Sequence, residues 1–421
     1  MAKHVDTLIV GGGQAGLCLS EHLGKKGIDH LILERDRIAE SWRTQRWDSL
    51  VANGPAWHDR FPGLKFDWMD PDGFATKHDV VRYMETYAEA IGAPIQTGVD
   101  VQKVARKSGA PGFDVETSDG HYDALNVVAA TGPFQTPVIP PTVPDLAGVT
   151  QIHSTAYRNP EALTDGAVLV VGSGSSGTQI ADELMQAGRE VYLSVGPHDR
   201  PPRAYRQRDF CWWLGVLGKW DLATVDPKTA HVTIAVSGAG GGKTVDFRRL
   251  AHDGMTLVGM TDRFEDGILH FAGDLGANLK AGDEKHLAML RACDAYVARN
   301  GTPLAEEPDA HIIPADPPCV TTPIRKIDLA KAGITTIIWA TGFRLDFDWL
   351  QVDAFEADGR PKHLRGVSSE PGVYFLGLPW LSRRGSSFIW GVWHDAKYIA
   401  DQIAIQKSYR DYDGTGRAAA E

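Results

Sequence analysis

Hydrophobic positions along the chain switch between two periods. Asp6-Thr7-Leu8-Ile9-Val10 is a short apolar run that reads as a buried strand, and it passes straight into Gly11-Gly12-Gly13-Gln14-Ala15-Gly16. The apolar spacing then turns helical from Leu17 to Lys25, stops near Gly27 and gives way to a second apolar strand, Ile28 to Leu33. The same succession returns later. Ala167-Val168-Leu169-Val170-Val171 runs into Gly172-Ser173-Gly174-Ser175-Ser176-Gly177, followed by a helical pattern from Thr178 to Ala187, Gly188 and the strand Val191 to Leu193. A strand, a glycine turn and a helix leading to another strand make a βαβ unit. The pattern predicts two of them.

Between the units, Thr76-Lys77-His78-Asp79 has the form of a capping box, and Val80, Tyr83, Met84, Tyr87 and Ile91 follow at helical spacing. Val99 to Val104, Phe113 to Thr117 and Tyr122 to Val128 then alternate as a small antiparallel meander. The proline-rich stretch Pro137 to Pro144 reads as a linker. Ala340-Thr341-Gly342, after the strand Thr335 to Trp339, echoes Ala130-Thr131-Gly132. The expected fold is α/β, with two Rossmann-like dinucleotide-binding domains, one inserted into the other. Residues 1–158 and 325–421 form the first domain in this reading and 159–324 the second, with a less legible insertion around 205–320. Within that insertion, residues 238–244 are glycine-rich but lack the first glycine of a P-loop, where Ser237 stands. A glycine-rich hairpin turn is expected there.

Composition narrows the partners. The chain of 421 residues has 43 Lys and Arg against 54 Asp and Glu, a formal net charge of -11. Such a surface does not suit a phosphate backbone, so nucleic acid is not an expected partner. The N-terminus has no signal-peptide pattern and no apolar run reaches the length of a membrane span, so no membrane partner is expected and a cytoplasmic location is. The 4 cysteines, at 18, 211, 293 and 319, lie too far apart for a redox pair or a metal-ligand pair, and no metal is expected.

The glycine turns carry the first chemistry. Such a turn lets the backbone approach a pyrophosphate, and the N-terminus of the following helix faces the phosphates. Gly11, Gly13, Gln14, Ala15 and Gly16 are the expected contacts of one dinucleotide, and Gly172, Gly174, Ser175, Ser176 and Gly177 those of the other. The strand ends separate the two. Glu34, 18 residues after Gly16, offers a carboxylate to ribose hydroxyls and would repel a 2′-phosphate, which suits FAD. Ser194 ends the corresponding strand of the second unit without an acid, and His198, Arg200 and Arg203 follow. Uncharged Ser194 with nearby cations favours NADPH, with NADH still open.

Further motifs give a resemblance. Glu34-Arg35 is followed by Ser41-Trp42-Arg43 and by Trp47-Asp48-Ser49-Leu50-Val51-Ala52-Asn53. Leu146-Ala147-Gly148, then His153 and Tyr157, parallel an FxGxxxHxxxY fingerprint, and Ala340-Thr341-Gly342-Phe343 comes after the second glycine turn. In this order the motifs resemble the class B flavin-dependent monooxygenases, the flavin-containing monooxygenase group, over most of the length outside 205–320. The fingerprint departs in Leu146 for phenylalanine and in four residues, not three, between Gly148 and His153.

The resemblance implies FAD, NAD(P)H and O2 as co-substrates and a C4a-hydroperoxyflavin that oxygenates a small soft nucleophile, a sulfide or amine. It implies that Arg35, Trp42, Arg43, Trp47, Val101 and Thr131 join the flavin's surroundings and that Asn53 orients the reacting groups as the catalytic residue. His153 and Tyr157 are expected to position the domain junction. Baeyer–Villiger oxygenation of ketones is the nearest rival, although the corresponding fingerprint ends in tryptophan where Tyr157 stands here. An NAD(P)H-dependent flavin oxidoreductase without a stable oxygenating intermediate is another. Trp212-Trp213, Trp380, Trp390 and Trp393 are read as walls of a substrate cavity, as core or as a subunit interface, which leaves a homodimer open. Arg383-Arg384 is read first as a solvated loop.

Overall fold

The first strand, β1 (Lys3–Val10), begins exposed and ends with Leu8 and Ile9 fully buried. It lies parallel between β2 (His30–Glu34) and β6 (Gly120–Ala129). The helix between β1 and β2, α1 (Gln14–Lys25), buries Leu17, Cys18, Leu19 and Leu23. The computed structural model describes residues 2–223 and 234–412. Among them, no helix is long and apolar enough to cross a membrane.

The first sheet has ten strands. β3 (Ile95–Thr97) extends it beyond β2, and β4 (Val101–Arg106), β5 (Phe113–Thr117) and β6 form the antiparallel meander expected from their alternation. The strand Val373–Phe375 adds in parallel to β6, and the C-terminal helix Ile389–Arg410 packs on α1. Two further helices belong to this half, α2 (Glu40–Thr44) and α3 (Lys77–Ala90). Thr76 accepts from the Asp79 N–H while the Asp79 side chain accepts from the Thr76 N–H, so the capping box is formed.

The chain leaves this sheet through the proline-rich stretch. A two-residue strand, β7 (Thr136–Pro137), pairs antiparallel with Phe343–Arg344 on the way back. Beyond this double crossing lies a second sheet of five strands, in the order Thr256–Val258, β10 (Val191–Ser194), β9 (Ala167–Val171), Ile334–Trp339 and β8 (Thr150–His153). All four pairings are parallel, and β9 is buried at each of its five residues, as its unbroken apolar run requires. The helix α4 (Ser175–Gln186) joins β9 to β10.

This pairing corrects the expected domain boundaries. The expected first domain takes in residues 150–153 and 334–339, but both strands belong to the second sheet. Ile334–Trp339 lies between β8 and β9, with Ile337, Ile338 and Trp339 fully buried. An apolar run names a buried strand without naming its sheet. The echo between the two Ala-Thr-Gly turns has a matching cause. Ala130 N–H donates to Val10 O at 2.9 Å, and Ala340 N–H to Val171 O at 2.8 Å. Each turn ends the strand beside its own glycine cradle.

The region 205–320 is ordered where described. It contributes the strand Thr256–Val258, the 26-residue helix Leu275–Asn300, and the hairpin of Thr261–Glu265 with Ile268–Phe271. The glycine-rich stretch does not join two paired strands as a hairpin turn: it is an irregular tight turn in which Gly240, Gly241 and Gly242 all take positive φ. A Cβ at Gly238 would collide with the Ala52 carbonyl and the Phe74 ring, so the segment is glycine-rich because it is pressed against the loop before Asn53. Ile338→Ala should destabilise the protein by about 2–5 kcal/mol. Urea unfolding followed by tryptophan fluorescence tests this, and an unchanged midpoint would show that the strand does not carry the second core.

Candidate active site

The first glycine turn is built for close approach. Gly11 has φ 114°, and a Cβ there would lie 2.6 Å from the Ala130 carbonyl oxygen. A Cβ at Gly16 would run into the Gly11 carbonyl, which is how the third glycine lets α1 pack on β1. Gly13 is the N-cap of α1, and a Cβ on it would meet nothing within 4 Å. No side chain caps α1 and no acid lies in its first turn, so its N–H groups face open space with their partial positive charge. Beside them Glu34 accepts from Gly12 N–H at 2.7 Å and from Asp36 N–H at 2.9 Å. The carboxylate is thereby held at the mouth of the turn. Gln14 donates to Ser387 O at 2.7 Å, and Ala15 is buried.

The second turn repeats this geometry. Gly172 has φ 121° and faces the Ala340 carbonyl, Gly177 abuts the Gly172 carbonyl, and Gly174 caps α4, whose first turn again has no acid and no side-chain cap. Ser175 donates to Ile234 O at 2.9 Å, which ties the mouth of this turn to the segment after 233. Ser176, partly exposed, stands beside it in the first turn of α4.

The expected cations behind this turn are not available to a 2′-phosphate. Ser194 is buried and donates to Gly259 O at 2.9 Å. Arg200 is 3% exposed and its Nε donates to Asp283 at 2.8 Å, with Asp246 also close by. Arg203 is 2% exposed and paired with Asp209 at 2.6 Å. His198 packs its ring 4.3 Å from that of Phe247, and burial holds its pKa below the ordinary value, so it is neutral at pH 7. A buried cation needs a counter-ion, and each arginine has found one inside the chain. The sequence showed the charges and not the acids that face them.

Several other expected contacts also have internal roles. Arg35 is exposed and pairs with Asp36, Arg43 pairs with Glu85, Val101 is buried in β4 beside Thr117, and Thr131 accepts from Gln135 at 2.8 Å. Trp42 is half-buried against the cores of both sheets. Trp47, 5% exposed, and Leu50 are buried in the core of the second sheet with Val168, Val170 and Ile180. The loop that begins in the first domain is thus anchored in the second.

Asn53 ends that loop at the seam between the two halves. Gln179, on α4, donates from Nε2 to Asn53 Oδ1 at 2.9 Å and to Val236 O at 2.8 Å. A backbone carbonyl can only accept, so the Gln179 amide orientation is determined, and through it that of Asn53. Arg203 donates to the Asn53 carbonyl. Asn53 Nδ2 takes part in neither contact and is left as an available donor. Gln179 was not read as functional, because nothing in its local pattern separates it from an ordinary helix residue. Downstream, Asp59 accepts from Gly54 N–H at 2.9 Å and from His58 Nδ1 at 2.7 Å, and the His58 ring packs about equally on Trp220 and Trp390, at 5.1 Å. Of the tryptophans read as cavity walls, Trp390 joins this group. Trp213 is fully buried in a small core that also contains Trp220 and has Trp390 packed against it, and Trp393 packs on His22. His58, Asp59 and Cys211 offer ligand atoms within 4.8 Å of one another, but the Arg203 guanidinium lies 3.9 Å from the Cys211 sulfur and takes the place a cation would need.

His153 lies at the double crossing. It donates from Nε2 to Gly342 O at 3.1 Å and packs 5.0 Å from Phe343, while Tyr157 donates to Glu183 at 2.8 Å. Tyr157 is thus tied to α4 within the second core, while His153 stands at the crossing.

Burial also lowers the pKa of His153 and His286, in step with His198. Their unfolded forms bind a proton at the ordinary value of 6.5 and their folded forms only at lower pH. Stability from these groups is therefore present above that value and is lost as pH falls through the folded pKa values. Thermal melts between pH 7.5 and 5 should show a falling midpoint. His198→Phe, which keeps the ring packing, should flatten part of that slope; an identical slope would exclude His198 as a contributor.

The family model described as pyridine nucleotide-disulphide oxidoreductase matches residues 8–206. An uncharacterized oxidoreductase, CzcO-like, from Geobacillus kaustophilus is 34% identical over 407 residues, covering 96% of this chain and 99% of that one. Indole-3-pyruvate monooxygenase YUCCA1 of rice, Oryza sativa subsp. japonica, is 32% identical over 423 residues, covering 96% and 92%. Among solved structures, a flavin-containing monooxygenase from Stenotrophomonas maltophilia shares the fold with a TM-score of 0.65 at 20% identity, covering 96% of this chain and 99% of that one. With two glycine cradles, a seam between them and relatives matched along nearly their whole length, the chain belongs to the flavin-containing monooxygenase-like family of oxidoreductases.

Proposed function

We propose that the protein is an FAD- and NAD(P)H-dependent monooxygenase that oxygenates a small soft nucleophile, a sulfide or an amine. The observation that carries this is the clamp on Asn53. Its Oδ1 and its carbonyl are both held from the second domain, so its free amide donor is presented at the seam between the two cradles.

Both cradles fit a dinucleotide. A Cβ would fill the space the glycines leave, and an uncapped helix N-terminus faces each opening. The first holds FAD: the N–H groups of α1 bind phosphate, and Glu34 accepts from ribose hydroxyls, its charge being unsuited to a 2′-phosphate. The second holds the nicotinamide dinucleotide at Gly172, Gly174 and Gly177. Bound FAD, once reduced, supplies the chemistry that activates oxygen and delivers one atom to the substrate. The chain orients and shelters. Asn53 Nδ2 donates a hydrogen bond at the seam, Gln179 and Arg203 keep it there, and the rings of Trp220, Trp390 and His58 exclude water next to it.

Thiol redox chemistry is disfavoured. Burial pushes the Cys18 and Cys211 thiols well up, away from the thiolate form that exchange needs. The coenzyme is NADPH or NADH, because the cations that would have enforced a 2′-phosphate are paired internally.

Mixing reduced enzyme with oxygen in a stopped-flow instrument, with NADP+ present, should give a transient near-ultraviolet band before the oxidised flavin spectrum returns. Direct reoxidation without that phase would sink the oxygenase reading. The substrate screen runs over sulfides, amines and ketones, and includes indole-3-pyruvate because the rice relative is named for it. Asn53→Ala should lower product formed per nicotinamide oxidised on the order of a hundredfold, the scale of losing one preorganised donor. Gln179→Ala should give a smaller loss of the same kind, and normal coupling in both variants would remove the clamp from the mechanism.

A further inference from the structure

The most deeply buried arginines, Arg200, Arg203 and Arg248, each have a carboxylate within ion-pair distance. Arg46 does not. Among the described residues its only side-chain hydrogen bond runs from Nη1 to the carbonyl of its neighbour Gln45, at 3.1 Å. A guanidinium carries five N–H donors, so most of its capacity is unspent. Its charge lies between two rings, 5.5 Å from the centroid of Trp42 and 5.2 Å from that of Phe134. Ring faces offset part of a cation's lost hydration, but they accept no conventional hydrogen bonds. Burial, with no acid opposing it, lowers the Arg46 pKa to about 10.

The place of this cation says what it waits for. Trp42 follows the end of β2, and Phe134 follows the end of β6. Both therefore come from the connections that leave the carboxyl ends of parallel strands, Trp42 from α2 and Phe134 from a loop, at the edge along which open α/β sheets bind their ligands. Phe134 is 51% exposed and packs 5.0 Å from Phe343, which follows the corresponding strand of the second sheet. Arg46 is thus at the seam between the two nucleotide-binding folds, with most of its donors unclaimed by the described residues.

We propose that Arg46 is the anion anchor for the diphosphate of a bound dinucleotide. Its planar fork matches paired phosphate oxygens, and the two rings hold it in place before the ligand arrives. The stem and rings supply shape, and the charge supplies affinity. The inference rests on reading the cradles as two dinucleotide sites, and it is independent of what the flavin does with oxygen.

The test uses FAD-loaded protein and oxidised ligands only. Release of FAD on dilution is followed by recovery of free-flavin fluorescence, and NADP+ is titrated against the protein fluorescence. Arg46→Met keeps a stem of similar bulk between the rings and removes the charge. It should weaken one dinucleotide at least tenfold while the melting midpoint of the protein stays near the parent's. A loss confined to FAD assigns the FAD diphosphate; a loss confined to NADP+ assigns that of the nicotinamide coenzyme. Arg46→Lys, which keeps the charge and loses the fork, should fall between the parent and Arg46→Met. Unchanged affinity for both ligands in Arg46→Met overturns the proposal, and so does Arg46→Lys falling as far as Arg46→Met, because shape and not charge would then matter. If Arg46→Met does not fold, Arg46→Gln is put through the same comparison with the same criteria. No step consumes oxygen, so failure of the oxygenase reading leaves this result standing.

Discussion

One loop ties the two halves of this protein together. Residues 41–53 start beside the first glycine cradle and bury Trp47 and Leu50 among the side chains of the second sheet. Removing a buried aromatic of this size typically costs about 3–5 kcal/mol, so the loop is an anchor. Its end is Asn53, and both of the contacts that set its orientation, from Gln179 and Arg203, come from the second domain. The Asn53 amide is therefore placed by the contact between the folds and not by either fold alone. A change in their relative position would move Asn53 out of register with the first cradle.

The same seam explains where the charges go. Asp283 serves two arginines, Arg200 and Arg248, and Asp209 serves Arg203. These ion pairs are internal because an unpaired buried charge is far more costly than a paired one. They leave the second cradle lined by backbone N–H groups and hydroxyls. A cradle of that kind recognises a pyrophosphate through helix and turn, without discriminating strongly by cationic side chains.

The two cradles are copies of one local solution. In each, the first glycine meets the carbonyl of the neighbouring Ala-Thr-Gly turn, and the third meets the carbonyl of the first. These contacts require the missing Cβ. That is why the glycines stand out in the chain, and why the helix N-termini are open where a phosphate can reach them.

Local geometry made much of this legible from the residues. The strand, the glycine turn, the helix and the acid at Glu34 are close in sequence, and their hydrogen bonds are short-range, so their chemistry follows from their order. The capping box at Thr76 was legible for the same reason. Long-range pairing was not. Ile334–Trp339 is an apolar strand whichever sheet receives it, and only its parallel pairing with β8 and β9 assigned it to the second. Arg200 and Arg203 were visible as cations near a strand end, but whether a cation is free depends on an acid up to 83 positions away, as with Asp283. Arg46 carries no mark that distinguishes it from Arg43 in the chain. Tertiary structure alone gave Arg43 a carboxylate and left Arg46 without one among the described residues, because counter-ions are set by packing across elements and not by neighbours in sequence.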